Sequence, residues 1–198
     1  MSLVRGVGTN DVGGYVDGVV SHWYTVWSDM LTRCYWEASL KRRPTYCGCV
    51  VTDEWKVASK FLEWFDENYV KGWVLDKDLL VRDNKLYGPD TCLFLPQEVN
   101  KFLTLRTLHR GDFPLGVRKY SKAGKYAGQA SFGDGKRYRL GYFSTPEEAH
   151  RAWQEAKIKR CNQLIEKYSA YPKVVLGLQR VLKDLTFDLE NKLITESL

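Results

Sequence analysis

Basic side chains are concentrated in one short part of this 198-residue sequence, between positions 116 and 143. The stretch holds a single acid, Asp134, and its charge surplus equals the net charge of +6 of the whole chain. Its seven basic residues are Arg118, Lys119, Lys122, Lys125, Lys136, Arg137 and Arg139. Clustered guanidinium and ammonium groups bind polyanions, of which nucleic acid is the simplest. The alternative is a charged face that meets only solvent.

The same stretch alternates small or apolar residues with polar ones at the two-residue period of a β-strand. One predicted face carries Tyr126, Gly128, Ala130, Phe132, Tyr138, Leu140 and Tyr142, and the other carries Ala127, Gln129, Ser131, Arg137, Arg139 and Gly141. Arg118 is expected to join the polar face. Arginine suits guanine edges and glutamine suits adenine edges in the major groove of DNA. The polar face is therefore predicted to contact a nucleic acid.

Three strands and a helix would position these side chains. The strands are predicted at 116–120, 126–132 and 136–143, with turns at 121–124 and 133–135. Thr145 can then cap a helix that has Pro146 at its first position and Glu148 three residues after the cap. An apolar stripe of this helix, Ala149, Ala152, Trp153 and Ala156, would cover one face of the sheet and leave the other open.

Residues 112–160 resemble the Apetala/ERF-type (AP2/ERF) DNA-binding domain. The motifs are Gly116-Val117-Arg118, Gly124-Lys125-Tyr126-Ala127 and Arg139-Leu140-Gly141-Tyr142-Phe143, followed by Thr145 and Glu147-Glu148-Ala149. The resemblance implies a three-stranded antiparallel sheet that lies in the major groove of double-stranded DNA. It implies the DNA-facing residues Arg118, Tyr120, Lys122, Gln129, Ser131, Arg137 and Arg139. Ser131 and Arg139 stand where plant members have other residues, so the family's target preference is not carried over.

The first hundred residues predict a separate module. Helices are predicted over 22–38 and from about Asp53, with their tryptophan and phenylalanine residues packed in the core. Extended segments at 73–81, 85–87 and 92–95 precede a helix that Pro96 can open. This is the ββα order of one-metal nucleases, in which a strand supplies a metal ligand and a general base and the helix supplies another ligand.

Strings in this module resemble phage HNH-type homing endonucleases, which often carry an Apetala-type domain behind the HNH region. They include Trp27-Ser28-Asp29-Met30-Leu31, Pro44-Thr45-Tyr46, Gly48-Cys49-Val50 and Leu75-Asp76-Lys77-Asp78. The resemblance covers nearly residues 1–105. It implies that Asp76 and Asn100 hold Mg²⁺, and that the catalytic set is Asp76, Lys77, Asp78 and Asn100.

Lys77 stands where an active HNH enzyme has a histidine as general base. A solvated lysine has a pKa near ~10.4 and stays protonated at neutral pH, so it is a poor base. Cys92 falls near the position of the middle asparagine of the family motif. Cleavage is therefore expected less than binding, and enzyme activity stays uncertain.

Zinc is a competing hypothesis for the cysteines. Cys34, Cys47, Cys49 and Cys92 could supply four thiolates, but the spacing lacks paired C-x-x-C motifs. We expect small buried hydrophobic residues instead. An odd count of five cysteines favours a reducing compartment. No apolar run approaches the ~20 residues that span a bilayer, so we expect a cytoplasmic protein with no membrane partner, in the bacterial host if it is encoded by a phage.

The residues after 160 predict a helical tail, 161–198, with two helices divided at Tyr171-Pro172. The tail could extend the preceding helix, pack on the first module or form a homodimer with another copy. Residues 105–113 are the predicted linker between the modules.

The sequence thus predicts an α+β protein with three parts: an HNH-like module at 1–105, the Apetala-type domain at 112–160 and the tail. The leading hypothesis is a DNA-binding protein whose nuclease centre is degenerate. The alternatives are an active Mg²⁺-dependent nicking or homing endonuclease and a protein-interaction or inhibitor role. The last would leave the arginine face without a use.

Overall fold

The computed structural model describes residues 3–105, 112–120, 124–132 and 134–198. The chain divides into two compact units, Met1–Phe94 and Leu95–Leu198. Helices and small sheets occur in both units, so the predicted α+β class is confirmed. The division lies before residue 105, and the helix after Pro96 belongs to the second unit. No helix in the described part of the chain is both long and apolar enough to span a membrane.

The first unit combines three helices with three two-stranded pairings. Its elements are β1 (Tyr15–Val16), β2 (Val19–Val20), α1 (His22–Tyr35), α2 (Glu37–Arg42), β3 (Val50–Val51), α3 (Ala58–Asn68), β4 (Val74–Asp76), β5 (Leu86–Tyr87) and β6 (Leu93–Leu95), whose last residue is the first of the second unit. β1 and β2 form an antiparallel hairpin, β3 and β5 pair in parallel, and β4 is hydrogen-bonded to β6. Short 3₁₀ turns occur at Pro44–Tyr46 and Glu54–Lys56.

Aromatic side chains form the core of the first unit. Trp27 of α1, Phe61 of α3 and Trp55 are fully buried, which confirms their predicted packing role. The indole Nε1 of Trp27 donates to the carbonyl oxygen of Trp55 at 2.7 Å, so the buried ring keeps a hydrogen-bond partner. The predicted helices differ at their ends, because α1 ends at Tyr35 and α3 begins only at Ala58.

The strand predicted over 73–81 is much shorter than expected. β4 ends at Asp76, because the carboxylate Oδ1 of that residue accepts the backbone N–H groups of Asp78 and Leu79 at 3.0 and 2.8 Å. A side chain that binds the backbone two and three residues ahead turns the chain and competes with strand pairing. The predicted extended segment 85–87 pairs with β3 and not with β4.

The second unit holds the predicted sheet and helical tail. Its elements are α4 (Gln97–Leu103), β7 (Val117–Tyr120), β8 (Lys125–Ala130), β9 (Tyr138–Phe143), α5 (Pro146–Lys167) and α6 (Pro172–Glu190). β7, β8 and β9 form an antiparallel sheet in that order, which confirms the three predicted strands. Parts of the predicted turns at 121–124 and 133–135, and of the linker 105–113, lie outside the described residues.

The start of α5 follows the sequence prediction. The Thr145 side chain accepts the backbone N–H of Glu148 at 3.1 Å, and the Glu148 carboxylate accepts the N–H of Thr145 at 3.2 Å. This reciprocal capping box, with Pro146 in the first turn, satisfies donors that have no partner inside the helix. It fixes where α5 begins relative to the end of β9.

The two tail helices pack within the chain. α5 continues without a break to Lys167, and α6 packs against it through the buried residues Val174, Leu178, Val181 and Leu185. The division at Tyr171-Pro172 is therefore confirmed. The apolar stripe that sequence analysis offers for a homodimer already has a partner in α5.

Candidate nucleic-acid interface

One face of the β7–β9 sheet is closed by α5. Gly128 of β8 is buried, and a Cβ built on it would lie 3.2 Å from the backbone oxygen of Ala149 in α5. Gly116, just before β7, comes closer still, because a Cβ there would lie 2.2 Å from the Trp153 ring. Only residues without a side chain allow the helix to approach this near. No ligand can reach this face without displacing α5.

The opposite face, here called the open face, is defined by the strand register. Residues that oppose each other in neighbouring antiparallel strands share a face of the sheet. The pairs are Arg118 with Ala127, Ala127 with Tyr142, Tyr120 with Lys125, and Gln129 with Arg139. The open face therefore carries Arg118, Tyr120, Lys125, Ala127, Gln129, Arg139 and Tyr142. It places one amide and one guanidinium directly opposite each other on adjacent strands.

A β-bulge in β9 corrects the predicted face assignment of two residues. Gly128 pairs with Gly141 whereas the next residue, Gln129, pairs with Arg139, so Leu140 is an extra residue in β9. An extra residue shifts the alternation of the strand by one position. Tyr142, predicted on the covered face, lies on the open face, and Gly141, predicted on the open face, opposes Gly128. The backbone φ of Gly141 is 149°, a conformation that favours glycine.

Aromatic rings on the open face contact one another and an arginine. The ring centroids of Tyr120 and Tyr142 are 4.6 Å apart. The guanidinium carbon Cζ of Arg139 lies 5.2 Å from the centroid of the Tyr142 ring. This cation–π contact restricts the guanidinium without using its hydrogen-bond donors. Arg139 is thus oriented while its five N–H groups stay available to a ligand.

The cations of this region are not neutralised by the protein. Six of them are exposed, and within the described residues none forms an ion pair with a carboxylate: Arg118, Lys119, Lys125, Lys136, Arg137 and Arg139. Asp134 accepts the backbone N–H of Lys136 and the hydroxyl of Tyr138. The Tyr138 hydrogen bond lowers the pKa of Asp134 below its usual value. The only acid of this stretch, Asp134, therefore binds neighbouring groups of its own turn and forms no ion pair with the described cations.

The predicted DNA-facing residues have several locations. Arg118, Tyr120, Gln129 and Arg139 lie on the open face, as the register above defines it. Ser131 is exposed just after β8, and Arg137 is exposed just before β9. Lys122 lies outside the described residues.

Sequence reasoning missed two members of the open face, Lys125 and Tyr142. Lys125 could have been found from its two-residue spacing to Ala127 and Gln129. Tyr142 could not, because the bulge that turns it depends on pairing with β8.

The dimensions of the open face suit a groove of duplex DNA. Neighbouring strands lie about 4.8 Å apart, so the axes of β7 and β9 are about 10 Å apart. The major groove of B-DNA is about 12 Å wide. Side chains that project from the sheet, and not its backbone, would then reach the base edges.

Asp76, the proposed catalytic carboxylate of the first unit, accepts hydrogen bonds from the backbone. Asp76 holds the turn after β4 through the two hydrogen bonds described above, and burial raises the pKa of its carboxyl group above the usual value. Asn100, the other residue implied to hold Mg²⁺, lies on α4 in the second unit. Among the described residues, no group of three or more His, Cys, Asp or Glu side chains is placed to hold a metal ion. Asp76 is buried and its Oδ1 already accepts two backbone N–H groups, so it fits the Mg²⁺ site that the resemblance implies poorly.

Lys77, which the HNH resemblance puts at the general-base position, also has hydrogen-bond partners within the protein. Only 5% of this residue is exposed, and its ammonium donates to the backbone oxygen of Asn84 and to the carboxylate of Asp78. Asn84 returns a hydrogen bond from Nδ2 to the Lys77 carbonyl at 2.8 Å. The ammonium group is therefore bound to two acceptors of the protein itself and does not point to a free water site. Lys77 thereby connects the residues after β4 to those before β5.

Three of the four cysteines considered for zinc lie in the core. Cys34, Cys49 and Cys92 are buried, as predicted for small hydrophobic residues, whereas Cys47 is exposed. Burial raises the pKa of the Cys34 and Cys92 thiols to about 12. In this fold the three buried thiols act as small packing groups.

Comparisons of this chain with models of known protein families, with curated proteins and with solved structures find no match. The two resemblances in the sequence therefore stay expectations. The open face is the place where unpaired cations, a hydrogen-bonding amide and exposed rings meet.

Proposed function

We propose that this protein binds double-stranded DNA through the open face and reads base edges in the major groove. The observation that carries the proposal is the pairing of Gln129 with Arg139 on a face that the covering helix leaves free. Glutamine can make two hydrogen bonds to adenine, and arginine can make two to guanine N7 and O6. Two such side chains on adjacent strands can read neighbouring bases.

The other cations would position the protein on the duplex. Arg118 and Lys125 share the open face with the reading pair, and Lys119 and Lys136 lie nearby in sequence. Phosphate contacts of this kind supply most of the affinity but carry no sequence information. Arg137 precedes β9 and is assigned with Arg139 and Gln129 to the base edges.

The proposal contains no hydrolytic step. Hydrolysis by an HNH centre needs a free carboxylate for the metal and a base for the water. Asp76 and Lys77 are the residues at those positions, and both are engaged in local hydrogen bonds. The binding role needs neither of them.

Selection of bound sequences from a random duplex pool is the test, because the target sequence is unknown. Affinity for the selected duplex is then measured for the wild type and for Arg137→Ala plus Arg139→Ala. Each lost bidentate contact costs about 1–3 kcal/mol, so the double variant should bind at least ten times more weakly.

The matched control removes two charges from α6, by Lys173→Ala plus Lys183→Ala. Both residues are exposed and lie outside the sheet. Near wild-type affinity in this control assigns the loss to the open face. Equal affinities of the Arg137 and Arg139 double variant and the wild type would remove the sheet from the interface.

A further inference from the structure

A cavity of about 290 Å³ lies beside α1 and α2 in the first unit. It is lined by Asp29, Thr32, Arg33, Ser39, Arg42 and Arg43. Three guanidinium groups thus face one carboxylate. Arg42 and Arg43 are exposed, so water screens their mutual repulsion, but the local positive charge still favours an anion in the cavity.

The arginines of this cavity have no carboxylate partner in the described part of the chain. Other contacts hold two of them in place. Arg42 donates from Nε to the backbone oxygen of Ala38 at 3.1 Å, and its Cζ lies 5.6 Å from the Trp36 ring centroid. The Cζ of Arg33 lies 5.8 Å from the ring of Tyr46. Arg33 also hydrogen-bonds the buried Tyr87 and interacts with the charge of Asp29, so it is anchored in the cavity wall. Arg42 is restricted by its two contacts but keeps its terminal N–H groups for a ligand.

Two hydroxyl groups complete the lining. Ser39 is only 5% exposed, yet it lines the cavity and its side chain makes no hydrogen bond to another described residue. Thr32 is fixed between two partners, because its Oγ1 accepts from Nε of Arg5 at 2.8 Å and donates to the backbone oxygen of Ser28 at 2.7 Å. Arg5 adds a further positive charge next to the site. The Ser39 hydroxyl is not completely buried, so it can donate to a ligand in the cavity.

We propose that this cavity binds a phosphate group, and that its natural ligand is a backbone phosphate of duplex DNA. A phosphate offers several strong acceptor oxygens, which match the planar forks of Arg33, Arg42 and Arg43 and the Ser39 hydroxyl. The choice of a DNA phosphate rests on the proposed function of the open face. The first unit then contributes affinity, while the sheet supplies sequence preference.

Inorganic phosphate is the probe for the cavity itself. The full-length protein is titrated at constant ionic strength, and the Nε–Hε signals of the arginines are followed by NMR. We expect saturable shifts for Arg33, Arg42 and Arg43 in the wild type, and no saturable shift of the remaining Arg33 signal in Arg42→Gln plus Arg43→Gln. Ser39→Ala should weaken phosphate binding several-fold. Shifts that do not saturate, or that persist in the double variant, overturn the proposal.

The salt dependence of DNA affinity identifies the source of the phosphate. Each phosphate contact contributes about −0.9 to the slope of log affinity against log salt. The Arg42 and Arg43 double variant should make the slope shallower by about 1, because one phosphate contact is lost. Lys173→Gln plus Lys183→Gln should leave the slope unchanged. Saturable phosphate binding with an unchanged DNA slope would contradict a backbone phosphate and point to a free phosphate ester.

The open-face variants separate this proposal from the proposed function. Arg137→Ala plus Arg139→Ala should weaken DNA binding but leave the phosphate titration as in the wild type. If the wild type binds DNA and its cavity arginines show no shift with phosphate, the cavity proposal fails, whereas DNA binding through the open face is not contradicted. If phosphate binds and DNA does not, the proposed function fails, and the assignment of the cavity to a DNA phosphate fails with it.

Discussion

At the scale of single residues, Asp76 and Lys77 make hydrogen bonds that stabilise the local fold, whereas a hydrolytic role would require contacts with a metal ion and a water molecule. Asp76 accepts two backbone N–H groups, and Lys77 bonds to Asn84 and Asp78. The sequence indicates which residues stand at the positions implied by the HNH resemblance. It does not indicate that their polar atoms form hydrogen bonds within the protein. These hydrogen bonds depend on a turn between β4 and β5 whose geometry appears only when the chain folds.

A substitution at Asp76 tests this structural role. Asp76→Ala removes the acceptor of the Asp78 and Leu79 N–H groups near the fully buried Leu79. Leaving buried donors without a partner costs about 1–3 kcal/mol. Urea unfolding should detect that loss in the free energy of unfolding, whereas Asp90→Ala, at an exposed position, should change it little. DNA affinity should not change in either variant.

One result would contradict a purely structural role of Asp76. If the wild type nicks supercoiled DNA with Mg²⁺ and Asp76→Ala abolishes nicking without loss of stability, Asp76 is catalytic. The active nuclease alternative would then replace the binding role.

At the scale of elements, local signals predict the sheet and the start of α5 well. The alternation in β7, β8 and β9 and the Thr145 and Glu148 capping box are contained in short stretches of sequence. The bulge at Leu140 is different, because it is defined by pairing with Gly128 and Gln129. Pattern reading within β9 alone therefore places Tyr142 on the wrong face.

Contacts distant in sequence also decide where α4 belongs. Glu98 of α4 forms an ion pair with Arg160 of α5 at 2.9 Å, and it also binds Lys167 and Tyr168. These ties place α4 within the second unit. Nothing in the sequence near Glu98 identifies partners more than sixty residues away.

A buried lysine on α5 adds a pH-dependent component to this packing. Lys157 is 2% exposed, donates to the backbone oxygen of Phe102 and lies 3.8 Å from the centroid of the Phe102 ring. Burial lowers the pKa of Lys157 to about 7, against 10.5 for the free side chain. Between these values the unfolded chain binds more protons than the folded one. Stability from this group therefore rises with pH from about 7 to 10.5.

Lys157→Met tests that linkage, because methionine keeps much of the volume but does not titrate. The free energy of unfolding of the wild type relative to the variant should rise by about 1 kcal/mol per pH unit between pH ~7.5 and ~9.5. The buried cysteines have raised pKa values, which make the protein less stable as the pH rises. Their contribution is the same in both proteins and cancels in the difference. A difference that stays constant with pH would contradict the burial of a neutral lysine.

At the scale of the whole molecule, the charge distribution is the most informative property of the sequence. The surplus of +6 between positions 116 and 143 identifies the sheet as a candidate polyanion-binding surface from the sequence alone. Composition could not find the second basic site, because Arg33, Arg42 and Arg43 come together with Ser39 only through the fold of α1 and α2. The boundary between units likewise depends on packing, and it lies at Phe94 and Leu95.

The central claim is that the open face reads the major groove, and methylation protection tests it most directly. Dimethyl sulfate modifies guanine N7, which lies in the major groove, and adenine N3, which lies in the minor groove. On the selected duplex, the wild type should protect guanine N7 positions, and Arg139→Ala should lose protection at one or more of them. Protection confined to adenine N3, or guanine protection that Arg139→Ala leaves intact, would contradict the account.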